Sequence, residues 1–336
     1  MANAQTEKPK SAWKRFRHWL PRTWLVYAVA RAAMQLVAWL PLPCARALGR
    51  LGGWLAYHLD RGHRRVALAN LQLAFPDRPE AERRALLRAC YAHLGVCAAE
   101  FCRYLSLRRE DVRESWVTPE EGAEERLRAA LASGRGAILV GGHLGAWELG
   151  ALAMPALGFP LCSIAREVGA PRLDEFIMRV RTHFGTQLFY QEHGLFQTYR
   201  ALRRGKLVGL HVDQYAGRQG TYVPFFGKEA SSVDTCARLH VMTGAPLFCG
   251  AFQRRADGRY TWRLRPVEAP PAKKEGQEEN ERVREVLCAC NRALEEAIRA
   301  APEQWLWFHN RWRDHRRGAA GTATTTATAD ATNPRG

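Results

Sequence analysis

Short apolar runs alternate with amphipathic stretches from about residue 124, and this alternation constrains the fold more than any other feature. Three apolar runs follow glycine or proline and predict buried strands, at 137–140, 161–164 and 207–212. The stretches between them have helical spacing, at about 145–157, 172–184 and 195–203. Strands and helices that alternate in this way predict an α/β fold, in which helices flank a central, mostly parallel sheet.

The remaining patterns complete the organisation of the chain. Helices are predicted at about 80–105 and 278–300, and a pair of strands at 245–252 and 260–265. The Thr/Ala-rich segment after Gly318 has low complexity and predicts disorder. We therefore expect a basic leader, an apolar helix, one folded domain and a disordered tail, at 1–22, 23–45, 46–317 and 318–336.

Positive charge is the second strong feature. The chain has 50 Lys and Arg against 33 Asp and Glu, a formal net charge of +17, which predicts an anionic partner. The basic residues are concentrated in 1–22, 46–65 and 311–317. Aromatic residues crowd the same N-terminal region, namely Trp13, Trp19, Trp24, Tyr27, Trp39 and Trp54. Because aromatic belts are typical of membrane interfaces, the pattern favours an anionic membrane surface over nucleic acid.

The apolar stretch 23–45 contains a single charged residue, Arg31. Arg31 is unfavourable at the centre of a spanning helix, and the basic residues on both flanks give no orientation bias. Both a transmembrane helix and an in-plane helix are compatible with this pattern. A buried core helix fits the tryptophans less well, and a cleaved signal peptide fits the charge pattern poorly.

The nine cysteines are scattered and include no C-x-x-C pair. This pattern predicts reduced, mostly buried thiols and excludes a disulfide framework and a zinc site. The folded domain is therefore expected to face the reducing cytoplasm.

One segment has the residue types of a catalytic turn. Residues 141–148 read Gly-Gly-His-Leu-Gly-Ala-Trp-Glu, between a predicted strand and a predicted helix. Glycines allow a sharp turn and close approach of a substrate, and His143 can remove a proton from a hydroxyl near neutral pH. Glu148 is one and a half helical turns further on, where its carboxylate could hydrogen-bond the imidazole and fix its tautomer.

Two more polar positions follow predicted strands. Arg166 comes after 161–164, and Asp213-Gln214 comes after 207–212. Since the carboxyl ends of parallel strands share one edge of a sheet, these residues should gather near His143. Each residue taken singly also fits an ordinary structural role, such as a surface ion pair between Arg166 and its neighbour Glu167. Their coincidence at three strand ends favours a site.

These residues carry a resemblance to a known family. The sequence resembles the bacterial lipid A late acyltransferases, within the lysophospholipid acyltransferase group, whose mark is a histidine, four residues and an acid. His143 and Glu148 meet that mark. Further segments match in order over roughly residues 24–313, including Asn70-Leu71, Phe75-Pro76, Ala165-Arg166, Asp213-Gln214, Phe225-Phe226-Gly227, Thr243–Pro246 and a C-terminal block of Pro302–Trp305 and Trp307–Trp312.

The resemblance implies a glycerophosphate-acyltransferase-like fold and a membrane-associated acyltransferase without cofactor or metal. The implied donor is an acyl thioester of acyl carrier protein or coenzyme A, and the acceptor is a hydroxyl of a lipid A precursor or lysolipid. His143 would act as general base with Glu148, while Arg166, Asp213 and Gln214 would bind substrate. The implied location is the bacterial inner membrane, with the acyltransferase domain on the cytoplasmic side.

Two other functions compete with this interpretation. A non-catalytic basic protein that binds membranes or nucleic acid explains the charge and the tryptophans, but not the polar residues at three strand ends, so we expect no nucleic-acid partner. A serine or cysteine hydrolase is weakened because the sequence lacks a G-x-S-x-G nucleophile elbow. No covalent acyl-enzyme is expected for the same reason.

Overall fold

The computed structural model describes residues 27–29, 31–165, 171–190, 194–270 and 277–313. The predicted leader 1–22 and tail 318–336 lie outside these residues, and so does Arg166.

A seven-stranded sheet forms the centre of the described chain, in the order β1-β9-β8-β2-β5-β3-β4. Its strands are β1 Val117–Pro119, β2 Ala137–Gly141, β3 Leu161–Ala165, β4 Gln187–Tyr190, β5 Leu207–His211, β8 Leu247–Arg254 and β9 Tyr260–Pro266. Neighbouring strands are parallel except for β8 and β9, which pair antiparallel. A separate antiparallel pair consists of β6 Thr221–Phe225 and β7 Lys228–Ser232. The predicted mostly parallel sheet is confirmed.

Helices cover both faces of this sheet. They are α1 Leu42–Leu59, α2 Arg61–Ala74, α3 Glu80–Phe101, α4 Ala123–Ala132, α5 Trp147–Ala156, α6 Pro171–Thr182, α7 Gly194–Leu202, α8 Thr235–Thr243 and α9 Glu279–Ala300. Strand β2 is buried along its whole length: Ile138 and Val140 pack with α3, α8 and α9, and Leu139 packs on the opposite face with α4 and α5. A strand covered on both faces needs a continuous apolar run, which is the pattern that predicted it.

The predicted helix 23–45 does not continue over its described part. Residues 27–29 and 31–39 are helical, but the chain bends at Leu40 and a new helix, α1, begins after Pro41. Proline disfavours helical geometry in the residue before it, so Pro41 sets this boundary. The apolar stretch is thus divided between two helices.

Helix α1 packs against α3 through glycines. A Cβ on Gly49 would lie 2.5 Å from the carbonyl oxygen of Gly95, so the two backbones can approach closely only without side chains there. By length and composition alone, one helical segment of the described residues could cross a membrane, Glu80–Ser106, and 44% of its apolar window is buried inside the protein. Leu87 and Cys90 of this segment belong to the core, so its apolar character serves packing.

Candidate active site

The glycine-rich turn between β2 and α5 presents His143 at the carboxyl edge of the sheet. A Cβ on Gly142 would lie 2.8 Å from the Asp213 Oδ2 atom, so this position has room only for glycine. Gly145 has a φ of 64°, and a side chain there would also collide with the carbonyl oxygen of Phe252. The turn can therefore lie directly against β8 and the segment after β5.

Asp213 holds His143 through both backbone and side chain. The His143 backbone N–H donates to Asp213 Oδ2 at 2.6 Å, and the His143 Nδ1 atom lies 2.9 Å from Asp213 Oδ1. The indole N–H of Trp305 donates to Asp213 Oδ2 at 2.9 Å. Burial acts to raise the pKa of Asp213, but the charge and hydrogen bonds of His143 outweigh it and hold that pKa well below its usual range.

This pairing determines which nitrogen of the His143 imidazole can act as a base. Since a carboxylate only accepts hydrogen bonds, Nδ1 carries the proton, and Nε2 of the neutral ring presents a lone pair. The Gln214 Nε2 atom lies 3.3 Å from His143 Nε2. Burial acts to lower the pKa of His143, but the Asp213 carboxylate outweighs it and raises the pKa above its ordinary value. The site can therefore take up a proton at Nε2 while Asp213 stabilises the imidazolium.

Glu148 binds an arginine, where a bond to the imidazole was expected. The Arg181 guanidinium donates two hydrogen bonds to the Glu148 carboxylate, at 2.8 and 2.6 Å. Burial acts to raise the pKa of Glu148, but Arg181 outweighs it and lowers the pKa. Glu148 still acts on His143 through its charge, which favours the imidazolium. Glu148 lies in the first turn of α5 and Arg181 lies on α6. Their contact depends on how these two helices pack, which the sequence pattern does not show.

The structure thus brings His143, Asp213 and Gln214 together and keeps Glu148 at the same cleft. Arg166 lies outside the described residues. Sequence reasoning missed Arg181 and Trp305 as members of this site. The signal for Trp305 was its place in the C-terminal block of the resemblance, but the block does not say which atom the indole binds.

The imidazole of His143 lies at a cleft of about 900 Å³ between the sheet edge and α5. Its polar end holds His143, Glu148, Arg181 and Gln214. The remaining lining is mixed: it includes a few polar residues such as Ser163 and Asp234, and the apolar side chains of Leu139, Met154, Leu161, Ile164, Leu188 and Phe252. A polar end beside an apolar channel suits a substrate with a reactive head and a hydrocarbon chain.

Five of the nine cysteines are buried and Cys44 is exposed. All nine cysteines are free, as the sequence predicts. Burial raises the pKa of the Cys90 and Cys249 thiols to about 12, so neither thiol is a nucleophile at neutral pH. Within the described residues, no group of three or more His, Cys, Asp or Glu side chains could hold a metal ion.

Comparison with known proteins identifies the family. A family model described as bacterial lipid A biosynthesis acyltransferase matches residues 11–314. The lipid A biosynthesis lauroyltransferase of Escherichia coli (strain K12) is 28% identical over 313 residues, which cover 90% of this chain and 94% of that protein. The palmitoleoyltransferase of the same strain is 27% identical over 300 residues, with coverages of 87% and 92%. The myristoyltransferase is 28% identical over 307 residues, with coverages of 88% and 88%.

The match to the family model extends across the sheet, the cleft and the C-terminal block that carries Trp305. The chain therefore belongs to the bacterial lipid A biosynthesis acyltransferase family and is an acyltransferase enzyme.

Proposed function

We propose that this enzyme transfers a fatty acyl group from a thioester to a hydroxyl of a lipid A precursor, with His143 as the general base. One observation carries the assignment: Asp213 binds Nδ1 of His143, so that the basic nitrogen is Nε2, at the cleft, where an acceptor hydroxyl would replace the 3.3 Å contact with the Gln214 amide. The names of the three relatives support lauroyl, palmitoleoyl or myristoyl chains as the class of group transferred.

In the proposed reaction, His143 Nε2 removes the proton of the acceptor hydroxyl. The hydroxyl oxygen attacks the thioester carbonyl carbon, a C–O bond forms, and the carbonyl electron pair moves onto oxygen. As this tetrahedral intermediate collapses, the C–S bond breaks and the sulfur leaves with the electron pair. The sulfur then takes from His143 the proton that came from the acceptor hydroxyl. The products are an ester and a free thiol, and no covalent acyl-enzyme forms.

The other polar residues support this step. Asp213 holds the tautomer and stabilises the imidazolium, and the amide of Gln214 contacts the reacting side of the ring. Glu148, fixed by Arg181, adds negative charge beside the imidazolium. Arg166 is assigned to bind an acceptor phosphate or to stabilise the oxyanion.

The thioester is carried by acyl carrier protein or coenzyme A, and both are anionic ligands for a chain with a net charge of +17. The reaction needs neither a cofactor nor a metal.

We further propose that the enzyme works at the cytoplasmic face of the inner membrane. Helix α1 exposes an apolar stripe along one face, made up of Leu48, Leu51, Leu55 and Leu59. Trp39 and Trp54 are exposed as well, and so are the basic residues Arg50 in α1 and Arg61 and Arg65 just after it. An amphipathic surface with basic flanks suits the boundary of an anionic bilayer. A nucleic-acid-binding role would leave this apolar stripe without a partner.

The test is a single-turnover assay with purified enzyme, a lipid A precursor that lacks one secondary chain, and lauroyl thioesters of both carriers. Wild-type enzyme should form one new ester, detected by mass spectrometry as a lipid heavier by one acyl group. His143→Ala should lower the rate by about 10²–10⁴-fold, because proton removal by a positioned base contributes that much. His183→Ala removes an exposed imidazole and serves as the matched control. Near-normal turnover by His143→Ala would refute the assigned base.

A further inference from the structure

A second imidazole, that of His211, faces the reaction cleft without a role in the chemistry described so far. His211 is the last residue of β5 and lies opposite Gly141 in the parallel register with β2. Its ring centroid is 4.9 Å from that of His143, and its side chain is exposed to the cleft. Among the described residues, the ring has no hydrogen-bond partner. A polar side chain held at this distance from the base is available to a substrate.

The backbone around His211 is shaped to accommodate its ring. Gly141 sits beside the ring, and a Cβ there would lie 3.3 Å from the His211 Cδ2 atom, closer than most such contacts. The ring therefore lies over the strand end from which the His143 turn begins. This arrangement keeps the two imidazoles on the same side of the cleft.

His211 also lies next to the apolar channel. Positions 207, 209 and 211 of β5 face the same side of the sheet, so the side chains of Leu207 and His211 point to the face that packs against α5. That face also carries Leu139 and Phe252, which line the cleft. An acyl chain that lies on this face of the sheet would therefore have its carbonyl group at the end of the channel where His143 and His211 lie.

We propose that His211 donates a hydrogen bond to the carbonyl oxygen of the acyl thioester and stabilises the oxyanion that forms when the acceptor attacks. The inference deepens the proposed function and rests on it. As the C–O bond forms, the carbonyl electron pair moves onto the oxygen that accepts this bond, and no proton transfer from His211 is required. A hydrogen-bond donor that the fold holds where charge develops is effective, because it needs no reorganisation as the oxyanion forms.

The protonation state of His211 fits this role. Desolvation by the walls of the cleft, followed by the charge of His143, lowers the pKa of His211 to about 4. Arg181 acts in the same direction, and the carboxylates of Asp213 and Glu148 oppose this shift without cancelling it. His211 is therefore neutral wherever His143 can act as a base. A neutral imidazole keeps one N–H as a donor and brings no positive charge that would make His143 less basic.

Three variants separate a donor from a packing residue. His211→Leu keeps the bulk and removes the donor, and its kcat should fall by about 10²–10³-fold. His211→Gln keeps an N–H, and its kcat should stay within about tenfold of wild type. The KM for lauroyl-coenzyme A should change little in both, and the acid limb of the pH–rate profile should persist in His211→Gln. His183→Ala is again the matched control.

A second measurement keeps the test decisive where a variant is less stable. Calorimetric binding of the alkyl thioether of coenzyme A, which lacks the carbonyl, should be the same for wild type and His211→Leu. Wild-type kcat in His211→Leu, or equal losses in Leu and Gln with weakened thioether binding, would overturn the inference. If His143→Ala is inactive and His211→Leu is fully active, only this inference fails. If His143→Ala is active, the proposed function fails, and this inference, which rests on it, fails with it.

Discussion

At the residue scale, the main finding is that one buried carboxylate determines how the imidazole is presented. Sequence reasoning put His143 and Asp213 at the same edge of the sheet, because both follow strands that were predicted to be parallel. It could not show that Asp213 binds the imidazole, because the predicted fold brings both Asp213 and Glu148 close to His143. The choice depends on α6, which supplies Arg181 to Glu148, and on Trp305, which binds Asp213.

The pairing predicts the pH dependence of Asp213→Asn. In the wild-type enzyme the base must be neutral, and Asp213 raises its pKa above 6.5, so the acid limb of the pH–rate profile should lie above pH 6.5. In the variant the carboxylate charge is gone while burial remains, and burial lowers an imidazole pKa, so the limb should move to lower pH. The kcat at pH 8 should fall by about 10²–10⁴-fold, because the amide permits the wrong tautomer. An unchanged acid limb would show that Asp213 does not act on the base.

At the element scale, the sequence predicted the buried elements well and the exposed ones poorly. Strands β2, β3 and β5 are mostly buried, mostly apolar runs, and their predicted positions are confirmed within a residue or two. Strand β4 was missed because it is a partly exposed edge strand with a polar first residue, Gln187. The prediction of one continuous helix at 23–45 took no account of Pro41. Proline disfavours helical geometry in the residue before it, so a new helix begins after Pro41 although the apolar pattern continues.

The exposed stripe of α1 leads to a prediction about membrane binding. Replacing Leu51 and Leu55 together by Gln should weaken binding to vesicles that contain phosphatidylglycerol by about 30–900-fold, since each leucine loses roughly 1–2 kcal/mol of burial. Both side chains are about half exposed, so the fold should remain stable. Turnover with detergent-solubilised acceptor should be unchanged. Met242→Gln, on α8 and 52% exposed, is the control for an apolar residue elsewhere. Equal vesicle binding by both variants would contradict a membrane role for α1.

At the scale of the whole molecule, the site is assembled from segments far apart in the chain. The segment after α9 connects them: Trp305 binds Asp213, and the backbone of the same segment binds α2 and α3. Asn70 of α2 is buried and donates to the carbonyl oxygens of Trp307 and His309, at 2.7 Å each. Sequence patterns predict each segment but not these bonds, because the Trp305–Asp213 bond joins residues 92 positions apart and the bonds to α2 and α3 join residues more than two hundred positions apart.

Asn70→Ala tests whether these long-range bonds hold the molecule together as one cooperative unit. The substitution removes two hydrogen bonds and leaves two carbonyl oxygens in a buried region without their donor, which should lower the free energy of unfolding by about 2–4 kcal/mol. Gln72→Ala removes an exposed amide from the same helix and should change it by less than about 0.5 kcal/mol. Urea titrations followed by tryptophan fluorescence and by circular dichroism measure both. Because α2, the sheet and the C-terminal block share one core, the two signals should still coincide in Asn70→Ala. Two separated transitions would mean that the N-terminal helices fold independently of the site they support.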